Sequence, residues 1–444
     1  MRGIWLESIT KESLYSSSTY PNLIASLDAL ENALESENIL MAENKILSRY
    51  VKGHFEALSQ EMQRKFLGKA RRLIVEEYGK GTGDTILVGD WGKNTVIADL
   101  LVAQQYSSHQ VETVVELHAD QLPSDKLPLV EFGSLSISSV SAELASVLET
   151  VMEEAANCSN ILLAEKFIEI VSDIVMLWVH LPTMLHKQEL ENVAHFVMRY
   201  FNDTMYIAGT ITSIACKWHD LVSECGMVSD LATKIDYLRK VAFSHSYAQV
   251  RERTLELQSL VSANKFFRKT HKPNQEKKVR EAIIEIRIQI ERLASIWKSN
   301  LAPAYFAKFL GAVLENLCTY IYAEIMSMED ISVRETEVLP TLLLELLGQG
   351  LKPFLQRKSP GETSPIDQEA LFRKLFQKYA PAWTKLCVLV DLFSMSLQDI
   401  VNNWMNQQFK SKGFTSDEII HFVTIVFEDS DFRSEKIATI LQDP

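Results

Sequence analysis

The sequence has few glycines, prolines and cysteines for its length. Its 444 residues include 16 Gly, 12 Pro and 5 Cys. A turn-rich all-β fold needs more glycine and proline than this, so the composition favours helices. The cysteines are odd in number and mostly far apart, which argues against a disulfide framework and predicts a reducing compartment, the cytoplasm.

The sequence also lacks a long apolar run without charges. The N-terminal stretch MRGIWLESITKES has no apolar core of the kind that a signal peptide requires. The most apolar stretch, residues 161–181, contains four charged side chains, each of which is costly in lipid. These are Glu165, Lys166, Glu169 and Asp173. We therefore predict a core helix here, and we expect any membrane association of the protein to be peripheral.

The chain has fewer basic than acidic residues. The chain has 45 Lys and Arg against 58 Asp and Glu, a formal net charge of -13, which repels nucleic acid and predicts no direct nucleic-acid partner. The densest basic run, residues 265–278, carries two aromatic residues among its cations. A solvated loop before a helix is the preferred interpretation of this run, and contact with phosphate or lipid head groups is the alternative.

What the sequence has in abundance is helical periodicity. Leu23, Leu27, Leu30 and Leu34 follow one another at steps of 4, 3 and 4 with acidic residues between them, a stripe typical of a bundle or coiled-coil helix. A second helical pattern covers residues 57–78. The following stretch is rich in glycine, polar residues and proline, and we interpret residues 79–137 as a polar linker with at most short ordered pieces.

The strongest helical stripe lies at residues 279–297. Its apolar members are Val279, Ile283, Ile286, Ile290, Leu293 and Trp297. A strand is the competing interpretation, because isoleucines alternate strictly from residue 284 to residue 290, but the length of the stripe favours a helix. Further helices are predicted from Ser141 onward and at residues 161–181, 188–218, 228–262, 304–327, 335–350, 368–378, 384–408, 416–428 and 432–441. The predicted fold is all-α, with an N-terminal segment at residues 1–78, the linker, a bundle at 138–302 and a C-terminal bundle at 303–444.

Two patterns resemble ligand sites but fail in detail. The glycine cluster at residues 79–92 would suit a phosphate-binding loop, yet Leu87 stands where the first glycine belongs, and Asn94 stands where Ser or Thr should bind magnesium. Cys216, His219 and Cys225 lie within ten residues, but their spacing matches no zinc knuckle. We interpret the first as linker and the second as two buried thiols with an incidental histidine.

An acidic run at Glu428, Asp429, Ser430 and Asp431 raises the possibility of a calcium loop. A loop that began at Asp429 would need oxygen ligands at its fifth and twelfth positions and glycine at its sixth, where the chain has Arg433, Ile440 and Ser434. We therefore predict a boundary between two helices. Thr415 or Ser416 caps the first helix, with Asp417 and Glu418 in its first turn, and Asp429 or Ser430 starts the second. The nearby Phe422, Val426, Phe427 and Phe432 are predicted to be packing residues.

Several segments together resemble one family, the zeste-white ten proteins. They include HLPTMLHKQELENV (180–193), NDTMYIAGTI (202–211), residues 292–332, SLQDIVNNW (396–404) and GFTSDEIIHFVTIVFEDSDFR (413–433), with a weaker likeness at residues 53–77. The likeness covers most of residues 53–441 and leaves 79–137 unmatched. None of these segments is a catalytic signature, and no site residue for catalysis, a cofactor or a metal is predicted.

The resemblance implies a non-enzymatic subunit of two assemblies, without cofactors. One is the complex with Rod and Zwilch, which recruits dynein and dynactin and checkpoint proteins to kinetochores in mitosis. The other is a Dsl-type tether that captures Golgi-derived vesicles at the endoplasmic reticulum membrane through other tether subunits and SNAREs. It further implies an elongated rod of consecutive helical bundles, as in other tethering subunits.

The chain departs from the family in length. Family members have an N-terminal coiled-coil region that pairs with a partner subunit, and the leucine stripe from Leu23 to Leu34 corresponds at most to its end. We therefore expect this chain to represent the central and C-terminal part. The alternative interpretation is an exocyst-like vesicle-tethering subunit without a mitotic role.

Overall fold

A computed structural model describes residues 19–37, 46–78, 85–88, 135–158, 160–263, 267–350 and 378–442 of the chain. Nearly all of these residues are helical, as the periodicity predicts. The chain divides into two compact units, residues 1–245 and 246–444. This division differs from the expected one between residues 302 and 303, because the helix at Pro273–Asn300 packs on helices of the second unit.

In its described part, the first unit contains seven complete α-helices, the beginning of an eighth, a π-helix and two short strands. The elements are α1 (Thr19–Ser36), α2 (Ile46–Arg72), a π-helix (Leu73–Glu77), β1 (Thr85–Val88), β2 (Leu135–Ser138), α3 (Ser139–Asn157), α4 (Ile161–Leu185), α5 (Lys187–Asn192), α6 (Ala194–Lys217), α7 (His219–Glu224) and α8 (Val228–Ser262), which continues into the second unit.

The core of the first unit lies between α2, α3, α4 and α6. Asn160 begins α4 by accepting a hydrogen bond from the backbone N–H of Leu162 (3.1 Å), as an N-cap residue does. Phe167 and Trp178 of α4 are completely buried, which confirms that residues 161–181 form a core helix. Within the described ranges, no helix is long and apolar enough to cross a bilayer.

The leucine stripe at the start of the chain is only partly visible. A helix forms there, at α1, but Leu30 is 48% exposed while Glu31 is 2% exposed. The side chains of Leu23 and Leu27 lie outside the described residues. The predicted helix is therefore confirmed, and Leu30 is not part of a buried stripe.

Two short strands lie within or at the end of the predicted linker, residues 79–137, for which short ordered pieces were expected. β1 and β2 pair in antiparallel register, with Ile86 opposite Ile137, and Ile137 is fully buried. The two described pieces of the 79–137 segment therefore belong to the first unit, while residues 79–84 and 89–134 lie outside the described part. Sequence periodicity did not identify this sheet, because each strand has only four residues.

The second unit is built from the remaining helices. They are α9 (Pro273–Asn300), α10 (Pro303–Met326), α11 (Val333–Gly350), α12 (Pro381–Ser394), α13 (Leu397–Met405), a 3₁₀ turn (Lys410–Lys412), α14 (Ser416–Val426) and α15 (Asp431–Gln442). Three of them begin with proline, which is preorganised for the first helical turn and lacks an N–H that would be unsatisfied there. The prediction at residues 368–378 lies almost wholly outside the described residues.

The burial of residues along the isoleucine-rich helix α9 shows why its sequence pattern was ambiguous. Ile286 and Ile290 are buried, whereas Ile284 is 46% exposed and Ile288 is 36% exposed. The alternation that suggested a strand therefore comes from two faces of one helix, and the helical interpretation is confirmed.

Two predicted helices are each divided in the structure. The region 384–408 contains α12 and α13, because Met395 is extended and the Ser396 hydroxyl accepts a hydrogen bond from the N–H of Asp399 (3.2 Å), starting a new helix. The region 188–218 contains α5 and α6, which are separated at the extended residue Val193. Both breaks are one or two residues long, so the apolar periodicity continues across them without marking them.

Gly311 of α10 lies where another segment approaches closely. A Cβ at position 311 would be 2.6 Å from the Cβ of Tyr379. Gly311→Ala is therefore expected to lower the free energy of unfolding by about 1–3 kcal/mol, because the backbone at Tyr379 must shift. Urea denaturation followed by circular dichroism measures this change.

Gly348 of α11 provides the control for this substitution, since a Cβ there would meet nothing within 4 Å. Gly348→Ala is expected to raise the free energy of unfolding by about 0.5–1 kcal/mol, because alanine loses less backbone freedom in a helix. Stabilisation by both substitutions would contradict the close approach at Gly311.

Candidate functional site

The acidic run near the C-terminus lies at a junction between two helices. The Thr415 hydroxyl accepts a hydrogen bond from the N–H of Glu418 (3.3 Å), and the Glu418 carboxylate accepts one from the N–H of Thr415 (2.9 Å). These reciprocal bonds form a capping box at the start of α14. Of the two predicted caps, Thr415 is therefore the one used, and Asp417 and Glu418 occupy the first turn as predicted.

At the other end of the junction, Ser430 starts α15. Its hydroxyl accepts a hydrogen bond from the N–H of Arg433 (3.2 Å). The Arg433 guanidinium donates to the Asp429 carboxylate (2.6 Å) and to the carbonyl oxygen of Phe427 (2.6 Å). Asp429 and Ser430 therefore fix the chain between the two helices, which is the role the sequence predicted for the run.

The aromatic residues of this junction differ in burial. Phe422 is 1% exposed, but Phe432 is 51% exposed, and Val426 and Phe427 are half-buried. The prediction that all four are packing residues is wrong for Phe432. Phe432 is the second residue of α15, where its ring lies 5.0 Å from the Lys436 ammonium, measured to the ring centre, rather than in the core.

Cys216 and Cys225, which were predicted to be buried, are half-buried in the structure, and His219 between them is exposed. His219 lies in α7, with its ring nitrogens 3.5 Å from the Asp220 carboxylate and 3.4 Å from the Ser223 hydroxyl. Burial raises the pKa of Cys216, and burial together with Glu165 and Glu224 raises the pKa of Cys225 to about 11. Over the described ranges, no three metal-ligating side chains come together.

The described part of the basic run is anchored as well as solvated. Phe267 is 1% exposed, and the Nδ1 atom of His271 lies 3.2 Å from the buried Glu335 carboxylate. Lys272, Lys277 and Lys278 point to solvent, and residues 264–266 lie outside the described part. These contacts favour the interpretation as a turn before a helix over a phosphate or lipid site.

One buried polar group of the first unit was not predicted from the sequence, the Asp203 carboxylate on α6. It is completely buried. Its Oδ1 atom accepts hydrogen bonds from the N–H of Ser138 (2.7 Å) and the hydroxyl of Ser141 (2.8 Å). Its Oδ2 atom accepts one from the Tyr78 hydroxyl (3.1 Å). One side chain of α6 thus holds the end of β2, the start of α3 and the residue after the π-helix.

The neighbours of Asp203 on α6 extend this set of contacts, which we name the Asp203 cluster. Asn202 donates to the carbonyl oxygen of Ser136 in β2 (2.9 Å). The Thr204 hydroxyl accepts from the indole N–H of Trp178 in α4 (3.1 Å). The Arg199 guanidinium lies 5.6 Å from the centre of the Tyr78 ring. The Asp203 cluster therefore joins α6 to β2, α3, α4 and Tyr78 in the first unit's core.

Burial dominates the electrostatics of the Asp203 cluster. It raises the pKa of Asp203, although the hydrogen bonds from Ser138 and Ser141 and the nearby Arg199 offset part of the effect. Burial and the Asp203 carboxylate raise the pKa of Tyr78. The Tyr78 hydroxyl therefore stays protonated and donates to Asp203. Because Asp203 and Tyr78 are buried and hydrogen-bonded to each other, their arrangement suits a structural role.

A signal for the Asp203 cluster was present in the sequence. The buried stripe of α6 includes Phe196, Tyr200, Ile207, Ile211 and Ile214. Asp203 belongs to this stripe by its spacing, because it lies three residues after Tyr200 and four residues before Ile207. An ionisable residue in an apolar stripe must be paired when it is buried. The segment NDTMY, which contributes to the family resemblance, is therefore conspicuous for its place in the core.

A second polar cluster lies in the second unit, around Glu418. The Lys385 ammonium of α12 donates to Glu418 (2.5 Å) and lies 4.9 Å from the centre of the Tyr322 ring. Burial raises the pKa of Glu418, but hydrogen bonds from Lys385 and Thr415 outweigh burial and hold the pKa below its ordinary value. For Glu335, hydrogen bonds from Ser332 and His271 outweigh burial in the same way.

The lowered pKa values of Glu335 and Glu418 lead us to expect that acid destabilises the second unit. A carboxyl group with a lowered pKa in the folded state stabilises the fold above its unfolded pKa of about 4.3, and this contribution is lost as the pH falls through the folded pKa. We expect the free energy of unfolding to fall below about pH 4.3, with a shallower decline in Glu418→Gln. Urea denaturation between about pH 2.5 and 6 measures this, and parallel curves for both proteins would contradict it.

Comparison with known protein families gives two matches along the chain. The model described as "Centromere/kinetochore protein zw10, C-terminal" matches residues 131–259. The model described as "ZW10 C-terminal helical domain" matches residues 281–440. The first match contains Asp203 and the members of its cluster other than Tyr78, and the second contains the junction between α14 and α15.

Two similar proteins from different organisms share one name, and each matches this chain over only part of its own length. A "Centromere/kinetochore protein zw10 homolog" of Rattus norvegicus is 19% identical over 95% of this chain and 54% of its own length. One of Arabidopsis thaliana is 23% identical over 67% of this chain and 39% of its own length. The chain thus spans about half or less of these relatives.

Among solved structures, the C-terminal domain of the exocyst subunit Sec6p is similar in fold. The TM-score is 0.50 at 12% sequence identity, over 88% of this chain and 91% of that chain. This likeness extends to the fold alone, which is the all-α fold of a tethering-complex subunit.

Proposed function

Since the chain belongs to the ZW10 family, by matches that together span residues 131–259 and 281–440, we propose that it is a non-enzymatic scaffold subunit of kinetochore and vesicle-tethering assemblies. The two family matches carry this proposal. The names of the relatives support the kinetochore role, and the fold shared with an exocyst subunit supports the tethering role.

In its finer form, the proposal has two parts. In mitosis the protein acts with Rod and Zwilch at kinetochores and on the spindle, where the complex recruits dynein and dynactin and serves the spindle assembly checkpoint in chromosome segregation. In interphase it acts with tether subunits and SNAREs at the endoplasmic reticulum, as a peripheral membrane protein in Golgi-to-ER transport. The described helices carry exposed residues that are available for such contacts.

A second candidate function is vesicle tethering alone, as for an exocyst-like subunit. The fold similarity to Sec6p favours it, whereas the family matches favour a role at kinetochores as well. The two candidates differ in the proteins that accompany the chain during mitosis.

Affinity purification of the tagged chain from mitotic and interphase cells, together with imaging, tests the proposal. We expect Rod and Zwilch in the mitotic sample, tether subunits and SNAREs in the interphase sample, and kinetochore signal in prometaphase. Tether subunits without Rod, Zwilch or kinetochore signal would favour the second candidate. Purification of neither set would overturn both.

A further inference from the structure

The outer face of α2 is strongly basic in a chain of net charge -13. Five cations lie within nine residues, and all five are exposed. This basic face consists of Arg64, Lys65, Lys69, Arg71 and Arg72. The opposite side of α2 is buried in the core through Phe66 and Ala70. In the described part of the chain, the basic face makes one cation–π contact and one backbone hydrogen bond, and no ion pair.

Stabilisation of a helix end does not account for this basic face. Cations favour the last turn of a helix, where carbonyl groups are unsatisfied. Here the chain stays helical beyond Arg72 through the π-helix Leu73–Glu77, and the N–H of Tyr78 bonds to the carbonyl oxygen of Leu73. Arg64 and Lys65 are more than two turns from that end. The cations therefore lie along the middle of a continuous helical surface.

Gly68 lies at the centre of the basic face. A Cβ at this position would meet nothing within 4 Å, so no contact inside the described chain requires glycine. Glycine inside a helix is nonetheless destabilising relative to alanine. The Arg72 side chain lies along the helix and donates to the carbonyl oxygen of Gly68 (3.4 Å). The result is a shallow gap in the helix surface, bordered by guanidinium and ammonium groups, where another backbone can approach closely.

The length of the basic face indicates which kind of anion it fits. From residue 64 to residue 72 the helix rises by about 12 Å. Exposed carboxylates bound it at both ends, Glu56 and Glu61 on one side and Glu76 and Glu77 on the other. An extended polyanion such as duplex nucleic acid, or an anionic membrane plane, would meet these carboxylates and be repelled. A single acidic helix that crosses α2 at Gly68 would contact the cations alone.

We infer that the basic face of α2 is a docking surface for an acidic α-helical segment of another subunit, which crosses α2 over Gly68. This inference rests on the scaffold role proposed above and adds to it the location and the chemistry of one contact. The carboxylates of the partner helix pair with the arginines and lysines for which the described residues supply no acidic partner, and its backbone approaches at Gly68.

Zero-length carbodiimide cross-linking of the complex purified from cells on the tagged full chain tests the contact directly. This reagent joins only lysines and carboxylates that touch. We expect Lys65 and Lys69 to be linked to Asp or Glu residues of one helical segment in another subunit. Cross-links of these lysines only within this chain, or only to a second copy of it, would overturn the inference. If subunits co-purify but neither lysine is linked, the docking surface fails while the scaffold role stands.

Charge reversal provides the second test. The test variant combines Arg64→Glu, Lys69→Glu and Arg72→Glu. We expect it to capture at least about tenfold less of the cross-linked subunit than the unmodified chain does, because three ion pairs become repulsive. The matched control is Lys187→Glu, Lys272→Glu, Lys278→Glu, which changes the charge equally at exposed sites elsewhere. Equal loss in both variants would overturn the inference, as would binding of the unmodified chain to phosphatidylserine vesicles or duplex DNA that only the first variant loses.

Gly68→Leu separates docking from folding. Because the space around Gly68 is open, leucine is expected to leave the thermal midpoint unchanged or higher while it weakens capture of the cross-linked subunit at least about tenfold. Full capture by Gly68→Leu would show that no backbone approaches there and would overturn the crossing at Gly68.

Discussion

Replacing Asp203 with alanine is expected to lower the free energy of unfolding by about 3–5 kcal/mol, as removal of one member of a buried charged network does. The substitution leaves the N–H of Ser138 and the hydroxyls of Ser141 and Tyr78 without the carboxylate that now accepts from all three. It also leaves the nearby buried Arg199 less compensated. Thermal and urea denaturation of the purified chain measure the loss.

Asp203→Asn is the matched control for this substitution. The amide keeps the shape and one accepting oxygen, and its NH₂ group faces the Tyr78 hydroxyl, which can accept as well as donate. We expect a cost of about 1 kcal/mol, well below that of alanine. If alanine and asparagine cost the same small amount, the Asp203 cluster does not hold the first unit together.

The second large effect is expected from Phe422→Ala, at about 3–5 kcal/mol, because a large aromatic side chain is removed from a packed core. Phe422 is 1% exposed and lies edge-on to Phe393 of α12, with 5.2 Å between the ring centres. Its neighbours Ile419 and Val423 are also buried, so the surrounding atoms have little freedom to fill the space. Urea denaturation followed by near-ultraviolet circular dichroism reports the loss of this packing.

Phe432→Ala removes the same side chain from the neighbouring helix and serves as the control. Because Phe432 is 51% exposed, its loss is expected to cost no more than about 1 kcal/mol. Equal effects of the two substitutions would contradict the burial that the structure assigns to Phe422. A sequence pattern treats both phenylalanines alike, and only their position relative to α14 and α15 separates them.

Most helices of this chain could be predicted because their apolar periodicity is a local property. The stripe from Val279 to Trp297 specifies α9 without reference to any other segment, and the exposed Ile284 and Ile288 complicate the pattern without changing it. The breaks at Val193 and Met395 escaped prediction, because one extended residue hardly shifts a helical stripe. The pairing of β1 with β2 escaped it for another reason, since the strands are short and distant in sequence.

The candidate sites also differ in whether a local sequence pattern could predict them. Thr415 and Ser430 were each one of two caps predicted at their position, because capping depends on residues three positions apart. The Asp203 cluster depends on contacts between α6, β2 and the residue after the π-helix, which no local pattern specifies. The basic face of α2 lies on a helix that the sequence did predict. Its role as a surface could not be predicted, because that depends on which side of the helix is buried.

The hydrogen bonds of Asp203 span 125 residues to Tyr78 and 65 to Ser138. Contacts of such sequence separation form only after the intervening chain has closed, so they belong to the late stages of folding. Interactions that form late resist unfolding more than they speed folding. We therefore expect the buried carboxylate to slow unfolding more than it speeds folding, and so to lengthen the time for which the assembled first unit resists a protease.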